Sequence, residues 1–104
     1  MAPRSFQIMY APEVSKHFDY IDRKYWNLIR EKIEEQLLYS PDKETRNRKP
    51  LRKPPIPNRW EIRFGPANTF RVFYEIDTEK HTVKVLAIGY KENERLYIGG
   101  KEII

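Results

Sequence analysis

The chain predicts an α+β fold: two N-terminal helices packed on one face of a mainly antiparallel sheet of four to five strands, in the order β-α-α-β-β-β. Three observations carry this. Apolar residues recur at helical spacing from Val14 to Leu37. They alternate with a period of two in segments beginning at Trp60. The connections between those later segments are short enough for hairpins. A length of 104 residues fits one domain, 1–104.

The first element is a strand over Ser5–Tyr10, where Phe6, Ile8 and Tyr10 share a face. Ala11-Pro12-Glu13 turns into a short helix, with Pro12 suited to a first helical position because its missing N–H is not needed there. Val14 and Phe18, four apart, lie on one side of it. Asp22 can cap a longer helix whose apolar stripe is Trp26, Ile29, Ile33 and Leu37, with Arg30, Glu31, Glu34 and Glu35 off the stripe. Pro41 disfavours helical geometry at Ser40 and ends it.

Residues 42–59 read as a long polar connection. Lys43, Arg46, Arg48, Lys49, Arg52, Lys53 and Arg59 fall in it, with prolines at 50, 54, 55 and 57. Three strands follow. Trp60, Ile62 and Phe64 face one way in the first, and Glu61 and Arg63 the other. In the second, Phe70, Val72, Tyr74 and Ile76 share a face, opposite Arg71, Phe73 and Glu75. Thr82–Tyr90 is apolar on both faces at its centre, as a central strand is. The tail from Tyr97 to Lys101 either leaves the fold or adds a last short element. The helices cover one sheet face. The other, bearing Glu61, Arg63, Arg71 and Phe73, is left for solvent or a ligand.

Twenty Lys and Arg against 15 Asp and Glu give a formal charge of +5, which suits an anionic partner, nucleic acid or an acidic protein segment. There is no cysteine, hence no disulfide and no thiolate metal site, as suits a reducing cytoplasm. No apolar run approaches the ~20 residues that span a membrane, and the first residues lack the apolar core of a secretory signal. His17 and His81 stand far apart and outside any metal-ligand spacing, and read as surface residues. No Gly-rich phosphate loop and no nucleophile elbow is present. Neither a metal nor a cofactor is expected.

The ordered set Pro50-Leu51, Arg63, Arg71-Val72-Phe73-Tyr74, Lys91 and Tyr97, placed behind a helical pair, resembles the RelE/ParE superfamily of small toxins over nearly the whole chain. The resemblance implies the toxin of a type II toxin–antitoxin system, acting in the cytoplasm and restrained by an antitoxin with an acidic, helical segment. It implies an mRNA endoribonuclease that works on the ribosome, without a metal, and inhibits translation. A ParE-like inhibitor of DNA gyrase with no enzymatic activity stands as the alternative, beside a degenerate member that only binds RNA or antitoxin.

Internal attack of a 2′-hydroxyl on the neighbouring phosphorus builds negative charge on the nonbridging oxygens, and a guanidinium aimed there stabilises the transition state. The resemblance gives that role to Arg71, phosphate positioning to Arg63, phosphate orientation or proton donation to Lys91, and base stacking or catalytic assistance to Tyr97. Among the loop cations, Lys49, Arg52 and Lys53 are assigned to RNA. Glu61 departs from the pattern, since RNA-cutting relatives often carry lysine there. It is either a general base or an ion-pair partner of Arg63 or Arg71. The expectation with most consequence is geometric: side chains 63, 71, 91 and 97 share one open concavity.

Overall fold

The computed structural model describes residues 4–52 and 55–103, with the backbone alone at 52 and 55–58. Its elements in chain order are β1 (Gln7–Tyr10), α1 (Val14–Phe18), α2 (Trp26–Leu37), β2 (Arg48–Arg52), β3 (Pro55–Phe64), β4 (Phe70–Asp77), β5 (Thr82–Glu92), β6 (Arg95–Ile98) and β7 (Lys101–Ile103). The described strands form one seven-stranded sheet in the order β2-β3-β4-β5-β6-β7, with β1 added beside β5. All pairings are antiparallel except β1 on β5, which is parallel.

The α+β architecture and the two-helix start are as the sequence predicts; the strand number is not. The expected loop over residues 42–59 is in large part the β2–β3 hairpin, paired from Arg48↔Ile62 to Arg52↔Pro55. Pro50 reads as a loop signal, yet it lies in β2, an edge strand, where a missing N–H can point outward at no cost. The tail is a further hairpin, β6–β7. Gly99 and Gly100, at φ +61° and +78°, make its turn, the left-handed pair that tight hairpins favour.

Both helices lie on one sheet face. Val14 and Phe18 of α1 and Ile29, Ile33 and Leu37 of α2 are buried against Ile62, Phe64, Phe70, Val72, Tyr74, Ile76, Val83, Val85 and Ile88. The α2 stripe is the predicted one, with Trp26 half-buried at its start. Asp22 does accept a backbone bond, from Lys24 N at 3.0 Å, but it caps a short 3₁₀ turn over Arg23–Tyr25 that leads into α2.

Arg48, grouped with the solvated loop cations by sequence, is 5% exposed and faces the core beside Ile62. Its guanidinium donates to Ser40 O at 2.5 Å, Lys43 O at 3.2 Å and Gln36 Oε1 at 2.6 Å. A buried cation needs such partners, and here they tie the end of α2 to the sheet. Tyr74 Oη, also buried, donates to Pro41 O at 2.7 Å in the same segment, and burial pushes its pKa well up.

His17 and His81, read as surface residues, are half-buried, and each makes structural contacts. β1 and β6 share one edge of β5, the former over 82–85 and the latter over 89–92, which leaves a gap between them. His17 fills it: Ile88 N donates to its Nδ1 at 3.2 Å. The His81 ring stacks on Phe6, with centroids 3.7 Å apart.

Candidate nucleic-acid interface

Residues directly opposite one another in an antiparallel pair project from the same face, and neighbours along a strand alternate. The register therefore places the sequence-predicted residues without ambiguity. One row runs Lys49–Glu61–Phe73–Ala87 across β2 to β5, and the next runs Arg63–Arg71–Gly89–Ile98 across β3 to β6. Both rows lie on the face away from the helices. Lys91, two residues beyond Gly89 and opposite Leu96, belongs to that face as well.

Tyr97 does not. It pairs with Tyr90, which pairs with Phe70 of the core. Its ring stacks on that of Tyr90 with centroids 5.5 Å apart, on the helix side of the sheet. Of the expected four, Arg63, Arg71 and Lys91 share this face, as do Glu61 and Lys49; Arg63 and Arg71 meet at Glu61, and Lys91 stands farther along the face. Tyr97 is set apart by parity: the tight turn at Asn93-Glu94 sets it opposite Tyr90 rather than opposite Lys91. Lys53 lies outside the described residues, as does the side chain of Arg52.

The centre of the open face is a carboxylate between two guanidiniums. Glu61 Oε1 accepts from Arg63 Nε at 2.6 Å and lies 3.4 Å from Arg71 Nε. Both arginines carry their charge regardless of setting. They differ in exposure, 48% for the Arg63 side chain and 8% for Arg71. Burial, and then the neighbouring Arg63, lowers the pKa of Arg71, and Glu61 opposes them. The carboxylate thus offsets repulsion between two cations that stand directly opposite each other.

Arg71 is further fixed by the turn before β4. Its Nη1 donates to Asn68 O, and a longer contact of 3.5 Å reaches Phe70 O. The next carbonyl, Thr69 O, accepts from Lys91 N at 2.8 Å. One turn therefore holds the Arg71 guanidinium and the backbone of Lys91. It is a strained one: Gly65 has φ +84°, and Ala67 and Asn68, at +51° and +53°, are left-handed without being glycine.

Sequence reasoning missed two features. Gly89 lets β6 approach β5 closely, because a Cβ there would lie 2.6 Å from Tyr97 O; an isolated glycine inside a strand was the available signal. A flanking row, Arg59–Glu75–Lys84, extends the charged face, with Arg59 Nε 3.4 Å from Glu75 Oε2. It became legible only once the register was known. Among the described residues no cluster of His, Cys, Asp or Glu has the composition of a metal site, and no helix is long and apolar enough to cross a membrane.

The open sheet face thus presents one carboxylate between two guanidiniums, with Lys49 opposite Glu61 in register and Lys91 farther along the same face, a set of charges suited to an anionic partner. No curated protein matches the sequence. A solved structure of similar fold is the E. coli toxin RelE, an arginine-to-alanine double mutant in complex with a peptide of the antitoxin RelBc. It is 15% identical, with 84% of each chain covered and a TM-score of 0.56. The family model of the ParE toxin of the type II toxin–antitoxin system parDE matches residues 8–95, from β1 into β6. The chain therefore belongs to the ParE toxin family, within the RelE/ParE superfamily of type II toxin–antitoxin toxins.

Proposed function

We propose that this toxin is an mRNA endoribonuclease that inhibits translation by cutting ribosome-associated message in the cytoplasm. The observation that carries the reading is the Glu61 carboxylate held by Arg63 and Arg71 on an open basic face, with Lys91 anchored to the same turn as Arg71. The chemistry follows from those groups. Glu61 takes the proton of the 2′-hydroxyl as its oxygen attacks phosphorus. Arg63 and Arg71, released in part from Glu61 as it becomes protonated, meet the charge growing on the nonbridging oxygens. Lys91 donates a proton to the departing 5′-oxygen, leaving a 2′,3′-cyclic phosphate. Lys49, beside Glu61, and Arg52 and Lys53 beyond it in sequence hold the RNA backbone. A cognate antitoxin with an acidic segment restrains the toxin, as the antitoxin peptide bound to RelE suggests.

The test is Glu61→Gln, which keeps a hydrogen-bond acceptor for both arginines and removes the base. Message cleavage after induction should fall by about 10²–10⁴-fold, the usual worth of a general base, with folding intact. Cleavage within a few-fold of wild type would remove Glu61 from the mechanism.

The second reading is a non-enzymatic gyrase inhibitor. It is favoured by the family match and by the position of Tyr97 on the helix side, away from Arg71. Supercoiling assays run beside translation assays separate the two.

A further inference from the structure

On the helix side of the sheet a small cleft of about 270 Å³ opens between the segment before α2 and the ends of β4 and β5. Its walls are aromatic: Tyr20, Tyr25, Phe70 and Tyr90 line it, and Tyr97 extends the stack behind Tyr90. Its charged residues are Asp22 and Glu92, both acidic. Neither makes an ion pair among the described residues. The cleft is therefore ring-lined and its own charged lining is acidic, with two cations at its rim: Lys24 over Tyr25, and Arg95, opposite Glu92 in register and paired to Glu102. Burial first, and then Glu92 and Tyr97, raise the pKa of Tyr90. The wall already attracts a cation of the chain itself: Lys24 Nζ stands 5.1 Å from the Tyr25 ring centroid.

Aromatic faces bind cations through their quadrupoles, and a carboxylate at the rim adds directional pairing. A planar guanidinium does both at once, stacking on a tyrosine while presenting paired N–H groups to a carboxylate. We propose that this cleft binds an arginine side chain of a protein partner, with the guanidinium against Tyr20 and Tyr90 and paired to Glu92. The site is separate from the basic face and goes beyond the nuclease reading. The floor residue Phe70 and the neighbouring Thr69 adjoin Arg71 in sequence, so an occupant sits against the back of the turn that positions it.

The experiment is a titration of the full-length toxin with a blocked Gly-Arg-Gly peptide, followed by amide shifts in ¹H–¹⁵N spectra. The lysine and citrulline counterparts of the peptide, and adenosine, serve as comparators. The expected result is saturable shifts at Thr69, Phe70, Tyr90 and Glu92 with the arginine peptide, weaker binding by lysine, and none by citrulline. Glu92→Gln should weaken the arginine peptide about two- to five-fold, the worth of one exposed ion pair, and Tyr20→Ala should weaken it further. Equal binding of citrulline, shifts centred elsewhere, adenosine in the cleft without arginine, or no saturable shift would each overturn the proposal.

Discussion

Gly89→Ala tests how closely β6 packs on β5. Gly89 stands between Arg71 on β4 and Ile98 on β6. An added methyl would lie 2.6 Å from Tyr97 O, 2.8 Å from Ile98 Cγ1 and 3.3 Å from Leu96 Cδ1. A carbon bound beside a strand carbonyl normally stands about 3.3 Å or more from it, so β6 must retreat by roughly 0.7 Å. The nearest atom belongs to the backbone, so no rotamer change relieves the contact. A displacement of that size takes a ladder bond of about 2.9 Å beyond useful length. Losing one or two such bonds costs about 0.5–1.5 kcal/mol each, and the overpacking itself about 1–3 kcal/mol. Restricting the unfolded chain returns about 0.4–1 kcal/mol. The net is a destabilisation of about 0.5–5.5 kcal/mol, centred on about 3 kcal/mol, or a fall in Tm on the order of 10–20 °C at the centre of that range for a domain of this size. Urea unfolding of wild type and variant gives the difference directly. A midpoint unchanged to within about 0.5 kcal/mol, inside the scatter of ordinary surface substitutions, would show that β6 does not pack on β5 as described.

His17→Asn keeps an acceptor where Nδ1 receives Ile88 N–H and removes the titration. Burial lowers the His17 pKa from its ordinary 6.5, so the unfolded chain takes up the proton first as pH falls. The stability from the neutral ring is complete above about 6.5 and is lost as pH drops through the lower folded value. Unfolding midpoints should therefore fall between neutral and mildly acid pH in wild type more than in the variant; parallel pH profiles would refute the role. Tyr97→Phe should leave message cleavage within about three-fold of wild type, because its ring lies across the sheet from Arg71 and a general acid or base lost from the site would cost about 10²-fold or more. A loss of that larger size in a folded variant would return Tyr97 to the chemistry.

Helices and core were legible because they depend on periodicity alone. Ile29, Ile33 and Leu37 at spacings of four face the sheet wherever its strands lie, and they are buried as read. The alternation in β3 and β4 likewise set Glu61, Arg63 and Arg71 on one open face before any coordinate was known. Pairing across strands is a different kind of information. Whether Tyr97 joins Lys91 or Tyr90 hangs on the length of one turn, Asn93-Glu94, and a one-residue change inverts the answer. The proline-rich segment failed for a related reason: Pro50 forbids a central strand but not an edge, and edge position is a property of the whole sheet. Arg48 and His17 were misplaced because each satisfies polar groups of another element: Arg48 those at and after the end of α2, His17 the Ile88 N–H of β5. Composition assigns such residues to the surface, and only the fold supplies their partners.

The central claim is that the open face performs internal phosphoryl transfer on RNA. The most direct measurement is the chemistry of the new 3′ ends in message recovered after induction of the wild-type toxin. The account predicts fragments ending in a 2′,3′-cyclic phosphate, absent from cells expressing Glu61→Gln. Intact message together with accumulating DNA-gyrase damage, or new ends bearing a free 3′-hydroxyl, would contradict it.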